Sequence, residues 1–159
     1  EGTSIRLGGT TLLAGRQHGD TTLVVEHTAP RCESRESFRT VLDGDARDVF
    51  QGRISVDKEA QKTDGRMMTR ALLLSETAEA DAKPELEIFA DDVQCGHGCT
   101  TGSLDDELKF YLMARGIPSK EAEALLIEAF VGEVVGPVAN EKVRDALMGA
   151  LRAWLMARG

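Results

Sequence analysis

The 159-residue chain is 42% apolar and 29% charged, with a formal net charge of −8. So acidic a balance works against nucleic acid as a partner, because backbone binding depends on Lys and Arg releasing phosphate counterions. It also leaves no basic amphipathic face for an anionic membrane, and no window approaches the ~20 apolar residues of a membrane span.

Three cysteines in this length do not make a disulfide framework. A reducing, cytoplasmic setting is therefore expected, and any special role for sulfur would be chemical. Aromatics are only 4% of the residues, so aliphatic side chains and alanine must fill the core. The opening EGTSIRLGG holds neither a starting Met nor the charged-then-apolar order of a signal peptide. The expectation is a piece cut from a longer chain.

Up to Gly102 the residues favour strands and turns. Leu23-Val24-Val25 is a short apolar run; Phe50, Gly52, Ile54 and Val56 alternate with polar neighbours, as do Leu86, Ile88 and Ala90. Period-two alternation puts one set of side chains on a buried face. Turn residues punctuate the runs at Gly19-Asp20, Asp43-Gly44-Asp45, Thr63-Asp64-Gly65 and Lys83-Pro84. A weak repeat is also present: Leu42-Asp-Gly-Asp-Ala46 leads to Ile54-Ser-Val56, and Leu74-Ser-Glu-Thr-Ala78 leads to Leu86-Glu-Ile88. Stacked strand-turn units with a small Ala at each bend would make a solenoid. A β-sandwich accounts for the alternation and turns nearly as well. The pattern alone supports an all-β region.

After Gly102 the period becomes helical. Ser103 is expected to cap a first helix, with Asp105, Asp106 and Glu107 complementing its positive dipole end and Leu104, Leu108 and Leu112 on one face. Arg115-Gly116 closes it. Pro118-Ser119 opens a second helix, with Ala122, Leu125, Leu126, Ala129 and Phe130 as its apolar face, and Gly136-Pro137 stops it. A third begins near Asn140, with Val143, Leu147, Leu151, Trp154 and Leu155 facing inward.

Where the two regions meet stands DDVQCGHGCTTG, residues 91–102. Cys95, His97 and Cys99 occupy alternate positions, so an extended backbone projects them to one side. Thiolates and imidazole suit zinc, copper or iron–sulfur chemistry, while Gly96 and Gly98 remove bulk between them. Asp91 and Asp92 could raise a thiol pKa or serve as further ligands. The same spacing also fits a plain strand end with a packed cysteine and a histidine bonded to a carbonyl. Three ligands are one short of a closed structural zinc site, so a bound metal or cluster would need a ligand from elsewhere, such as another subunit. Two cysteines separated by three residues depart from the redox CxxC spacing.

Other candidates are weaker. Cys32 reads as a small core residue, His18 and His27 as surface or internally satisfied side chains, and Met67-Met68 and Trp154 as packing. Neither a GxxxxGK[ST] phosphate loop nor a GxSxG elbow is present, and nothing argues for an independent enzyme.

A chain of ordered motifs resembles a known family. Phe50-Gln-Gly-Arg-Ile-Ser-Val56, Ala60-Gln-Lys-Thr-Asp64, Leu72-Leu-Leu-Ser75, Ala82-Lys-Pro-Glu-Leu-Glu-Ile88, Ala90-Asp-Asp-Val93, Cys95-Gly-His-Gly98 and Thr101-Gly102 look like the SufB/SufD scaffolds of iron–sulfur cluster assembly. The CGHG ending and the following Phe110-Tyr-Leu-Met-Ala-Arg-Gly-Ile117 resemble the SufD side more than the SufB side.

That resemblance implies a mainly β fold, a right-handed parallel β-helix over residues 1–102, truncated at its N-terminal end, followed by a small helical domain over 103–159. It implies a non-enzymatic scaffold that pairs with a SufB-like paralogue through the β-helix and docks the SufC ATPase through the C-terminal helices. Cys95 and His97 take the positions of the family's interfacial ligands, His97 the better candidate for cluster contact. Cys99 departs from the family pattern and is a tentative third ligand or the site of an adventitious disulfide. No cofactor is expected to be held tightly by this chain alone; an iron–sulfur cluster would reside transiently at the subunit interface. The competing readings are a stand-alone metal-binding or redox protein using Cys95, His97 and Cys99, and a structural adaptor in which they are inert. An open end rung would leave unpaired backbone groups, which favours a homodimer of the fragment.

Overall fold

Parallel pairing at a spacing of about thirty residues organises the β region; of the expected turns Asp43-Gly44-Asp45 lies between strands, whereas Gly19-Asp20, Lys83-Pro84 and Asp64-Gly65 fall within strands. The computed structural model describes residues 1–158. Seven ten-residue strands come first: β1 (Ser4–Leu13), β2 (His18–His27), β3 (Glu33–Leu42), β4 (Arg47–Val56), β5 (Asp64–Leu73), β6 (Glu79–Ile88) and β7 (Gln94–Ser103). Successive strands alternate between two sheets, ordered β1-β3-β5-β7 and β2-β4-β6, and every pair within a sheet is parallel. The chain therefore coils as a β-solenoid, and the sandwich alternative is excluded.

The weak repeat seen in the sequence is this coil. Ile54 pairs with Leu86 and Val56 with Ile88, as the repeat requires. Ala46 and Ala78, at matching bends, are buried beside Leu42 in a small cluster of their own. The corners also stack. Gly15 and Gly44 both have positive φ, and a Cβ on Gly44 would come within 3.1 Å of the Gly15 backbone, so glycine is required there. At the opposite corner Arg31 and Lys62 take φ of 61° and 62°, and their amides bond to the Gln61 and Asp92 carbonyls one turn on. Left-handed backbone at non-glycine residues costs energy; here the stacked corner hydrogen bonds offset it.

Two apolar layers result. Inside the coil, Phe50, Ile54, Val56, Ala60, Met67 and Ala90 are buried together, with Phe38 and Phe50 rings 4.9 Å apart. Three helices follow, α1 (Asp106–Met113), α2 (Ser119–Val135) and α3 (Glu141–Arg158), and outside the coil Val41 and Leu72 pack against the last two. Ile127, Val131 and Val135 of α2 and Leu151 of α3 complete that cluster. Val41 and Leu42 are both fully buried because one faces the helices and its neighbour faces the coil. Ion pairs fasten the layers: Arg39 to Glu133 at 2.5 Å, and Arg158 to Asp43 at 3.2 Å.

Several expectations for the helices need correction. Ser103 still belongs to β7; the cap of α1 is Asp105, whose carboxylate accepts from the Glu107 and Leu108 amides at 2.9 and 3.0 Å. The buried side of α2 is Ala122, Ile127, Val131, Val134 and Val135, with Leu125 and Ala129 exposed. Val143 and Leu147 of α3 are exposed too. Of the three, α2 lies on the sheet face while α1 and α3 pack chiefly on α2, so the stripe of α2 that counts is the one the sheet selects. No described helix is long and apolar enough to cross a membrane.

Candidate functional site

β7 is the last strand of its sheet and pairs only with β5. The other sheet ends at β6, which faces β7 across the coil, so these two strands form the last described turn. Its register sets Cys95 beside Gly65, His97 beside Met67 and Cys99 beside Thr69. Met67 is a core residue and Cys95 packs against the inner cluster, so all three candidate ligands belong to the inward-facing set of β7. At this open end, however, inward does not mean buried. Cys95 is half-buried, whereas His97 and Cys99 are exposed. Successive inward positions stand roughly 7 Å apart along a strand.

Glycine makes room at this end. A Cβ on Gly65 would touch Ser34 Oγ at 3.4 Å and Cys95 Sγ at 3.6 Å, so the two groups flank a gap that Gly65 leaves open. On the outward side Gly98 receives the Met68 side chain, whose Cε would lie 2.8 Å from an added Cβ.

Burial pushes the Cys95 thiol up from its ordinary pKa, and the nearby carboxylates of Asp64 and Glu36 push in the same direction. The sequence had suggested Asp91 and Asp92 for that effect, but both lie exposed in the turn before β7, where Asp92 faces Lys62 at 3.6 Å. Asp64 is itself engaged by Arg35 at 2.6 Å and Arg66 at 3.2 Å, which hold its carboxyl below the usual range. All three cysteines are free thiols. Cys32 is buried near Thr3, with Sγ 3.2 Å from Thr3 Oγ1, and His27 is buried with Nε2 2.9 Å from Ser34 Oγ. His18 is exposed. These three fit the structural readings given to them.

Glu36 was not singled out in the sequence. It is 2% exposed, points into the coil, and neither carboxylate oxygen has a hydrogen-bond partner. Burial holds its carboxyl above the ordinary range, opposed by the Ser34 hydroxyl and the Arg35 charge. Its register partner is Met67, which pairs in turn with His97. Glu36, Met67, Cys95 and His97 thus share the inward face of β3, β5 and β7. The available signal was the alternation Ser34, Glu36, Phe38, Thr40, which puts an acid on the same side as an aromatic ring. As the side chains stand, no three His, Cys, Asp or Glu groups among the described residues are gathered closely enough to hold a metal ion.

A second feature lies on the helices. Leu108, Phe110, Tyr111 and Met113 of α1 and Leu125 of α2 are all exposed, Phe110 to 73%. A Lys109–Glu123 ion pair at 3.0 Å joins these two helices. Single exposed apolar residues are ordinary, but five on adjacent helices mark a contact surface.

Comparison with known proteins agrees with this architecture. Residues 1–130 match the family described as SUF system FeS cluster assembly, SufBD core domain. The chain is 37% identical over 151 residues to the iron–sulfur cluster assembly protein SufD of Escherichia coli, covering 95% of this chain and 36% of that protein. It is 37% identical over 150 residues to a SufBD family protein of Synechocystis, covering 93% and 32%. With SufD of Bacillus subtilis it shares 33% over 168 residues, covering 95% and 38%. The chain thus spans about a third of the length of these relatives. A coil of parallel strands, a CGHG edge strand and a family match across most of the sequence together make this chain a member of the SufBD family of iron–sulfur cluster assembly proteins.

Proposed function

We propose that the chain is a SufD-like scaffold that holds no catalytic centre of its own. In this reading a SufB-like paralogue pairs with it through the β-solenoid, and an iron–sulfur cluster, as cargo, forms at the seam. The observation that carries the reading is the position of Cys95 and His97: inward-facing, yet on the edge strand of the last turn, where His97 is exposed. A second subunit stacked against that end would exclude water from both and supply the ligands this chain lacks. His97 is the more accessible of the two; Cys95 must lose a proton that its burial retains. Cys99, two positions further toward solvent, is an auxiliary ligand at most. The unpaired edges of β1 and β7 also favour self-association when the paralogue is absent.

The ATPase, SufC in the relatives' system, docks on the apolar surface of α1 and α2 in this proposal. Because α2 and α3 share their core with the sheet, that contact must be tested on the whole chain rather than on isolated helices. A Phe110→Ser variant should lose ATPase capture and keep its fold; retained capture would remove α1 from the docking face.

Anaerobic reconstitution of the assembled complex with His97→Ala tests the cluster site. Cluster yield should fall while assembly of the subunits is unchanged. An undiminished yield would take His97 out of the mechanism. The stand-alone metal or redox alternative would turn over without the paralogue and the ATPase, whereas the scaffold needs both.

A further inference from the structure

A buried carboxylate with neither oxygen hydrogen-bonded is costly and calls for an explanation. Glu36 is such a group, and the Ser34 hydroxyl and the Arg35 charge only partly oppose the effect of its burial. The neighbouring hydroxyl, Ser34 Oγ, is engaged by His27 Nε2 at 2.9 Å. Arg35, next in sequence, points its guanidinium to the Asp64 carboxylate at 2.6 Å and to the Ser34 and Asp64 carbonyls at 2.8 Å. What Glu36 does share is the inward face of the sheet with Cys95 and His97, near enough for its charge to act on the Cys95 thiol.

The register gives the distances. Glu36, Met67 and His97 stand side by side on β3, β5 and β7, so two strand spacings separate the first from the last, roughly 10 Å between Cα atoms. A glutamate and a histidine leaning toward each other span such a gap with a metal bond of about 2 Å at each end. Met67 stands between them, but its thioether crosses the coil into the niche left by Gly52, where an added Cβ would collide with it. Neither the Glu36 carboxylate nor the His97 ring makes a hydrogen bond to another described residue that would have to break.

We propose that Glu36 is a third protein ligand for the metal that Cys95 and His97 receive, completing a thiolate–imidazole–carboxylate set within one chain once a cation draws the side chains together. The proposal rests on the reading of Cys95 and His97 given above. Such a mixed set suits ferrous iron or zinc, and three protein ligands leave a position open for sulfide or a partner's side chain. Glu36 then has a reason to be buried without a partner: its partner is the incoming cation.

Cobalt(II), a spectroscopic stand-in for ferrous iron, can be titrated anaerobically into the full chain, following the ligand-field and thiolate-to-cobalt bands. Wild type should bind, and Glu36→Gln should weaken binding by roughly 10–100-fold. The thiolate band should survive at saturation, because Cys95 is untouched. Glu33→Gln, an exposed carboxylate on the same strand, should bind like wild type and so controls for net charge. Near-UV circular dichroism verifies the fold, and Glu36→Asp, which withdraws the carboxylate by one methylene, provides a second weakened variant. If E36Q binds as tightly as wild type while Cys95→Ser and His97→Ala bind weakly, Glu36 is not a ligand and the two-residue reading stands. Equal binding by all three variants overturns both, whereas no binding by wild type overturns the Glu36 proposal alone, because the two-residue reading needs the partner subunit.

Discussion

β3 and β7 lie in one sheet and share one register through β5, yet they meet opposite surroundings. Ser34, Glu36, Phe38 and Thr40 stand two strands away from Cys95, His97, Cys99 and Thr101. β3 has a neighbour on each edge, the coil's interior on one face and α2 on the other. Among its inward positions Ser34, Glu36, Thr40 and Leu42 are at most 5% exposed. β7 has one neighbour and belongs with β6 to the last turn of the coil, so the equivalent positions open toward solvent. Backbone geometry is the same in both; coverage differs. In the middle of the coil a polar side chain must find a partner or carry a cost, whereas at the end it is available for chemistry.

The largest test of that contrast is at the covered side. Ile127→Ala, which hollows the layer between α2 and the sheet, should cost about 2–5 kcal/mol in urea denaturation. Because that layer is shared, helices and strands should unfold in one transition; two separate transitions would mean that the helical part is stable by itself. Next comes a register-matched pair. Thr40 Oγ1 donates to Asp48 Oδ2 at 2.7 Å in the interior, so Thr40→Val should cost about 1.5–3 kcal/mol, the range for hydrogen bonds to charged groups. Thr101→Val, at the same register on β7, should stay within about 0.5 kcal/mol, because nothing covers it. Equal costs would erase the distinction between the strands.

Glu36→Met should stabilise the protein by about 1 kcal/mol or more near neutral pH, since it removes an unpaired buried polar group. The pH dependence sharpens this. The folded carboxyl is held above its unfolded value, so the favourable contribution is complete below the ordinary glutamate range and is lost as pH rises through the folded value. Thermal melts of E36M against wild type should therefore diverge with increasing pH. Glu133 and Asp64 slope the other way: arginines hold them below their usual range, and their contribution is lost as pH falls through the folded values. A difference between E36M and wild type that is flat with pH would show that Glu36 is not held protonated by burial.

Much of this was legible in the residues, and the failures have physical causes. Period-two runs located β4 and β6, and the Leu42 and Leu74 units anticipated the coil, because each turn of a solenoid must solve the same packing problem. The change of period at Ser103 separated strands from helices to within two residues. The buried face of α2 was misjudged because Leu125 is as apolar as Ile127; only the sheet beneath the helix decides which of them is covered. Cys95, His97 and Cys99 were placed on one side correctly, but alternation cannot tell the inside of a coil from its outside. Glu36 went unnoticed for a related reason. In RESF it looks like one more solvated charge, and its burial depends on β1, β5 and the opposite sheet.

The strict in-register stacking of β5 on β7 has a consequence for insertions and deletions. Removing one residue from the turn between Ile88 and Gln94 while the hydrogen-bond ladder held would slide β7 by one place and turn the sulfur and the imidazole outward, leaving glycines to face the coil. Removing two would preserve their sidedness and merely move them along the groove. Lengths in that turn should therefore vary among functional chains by even steps.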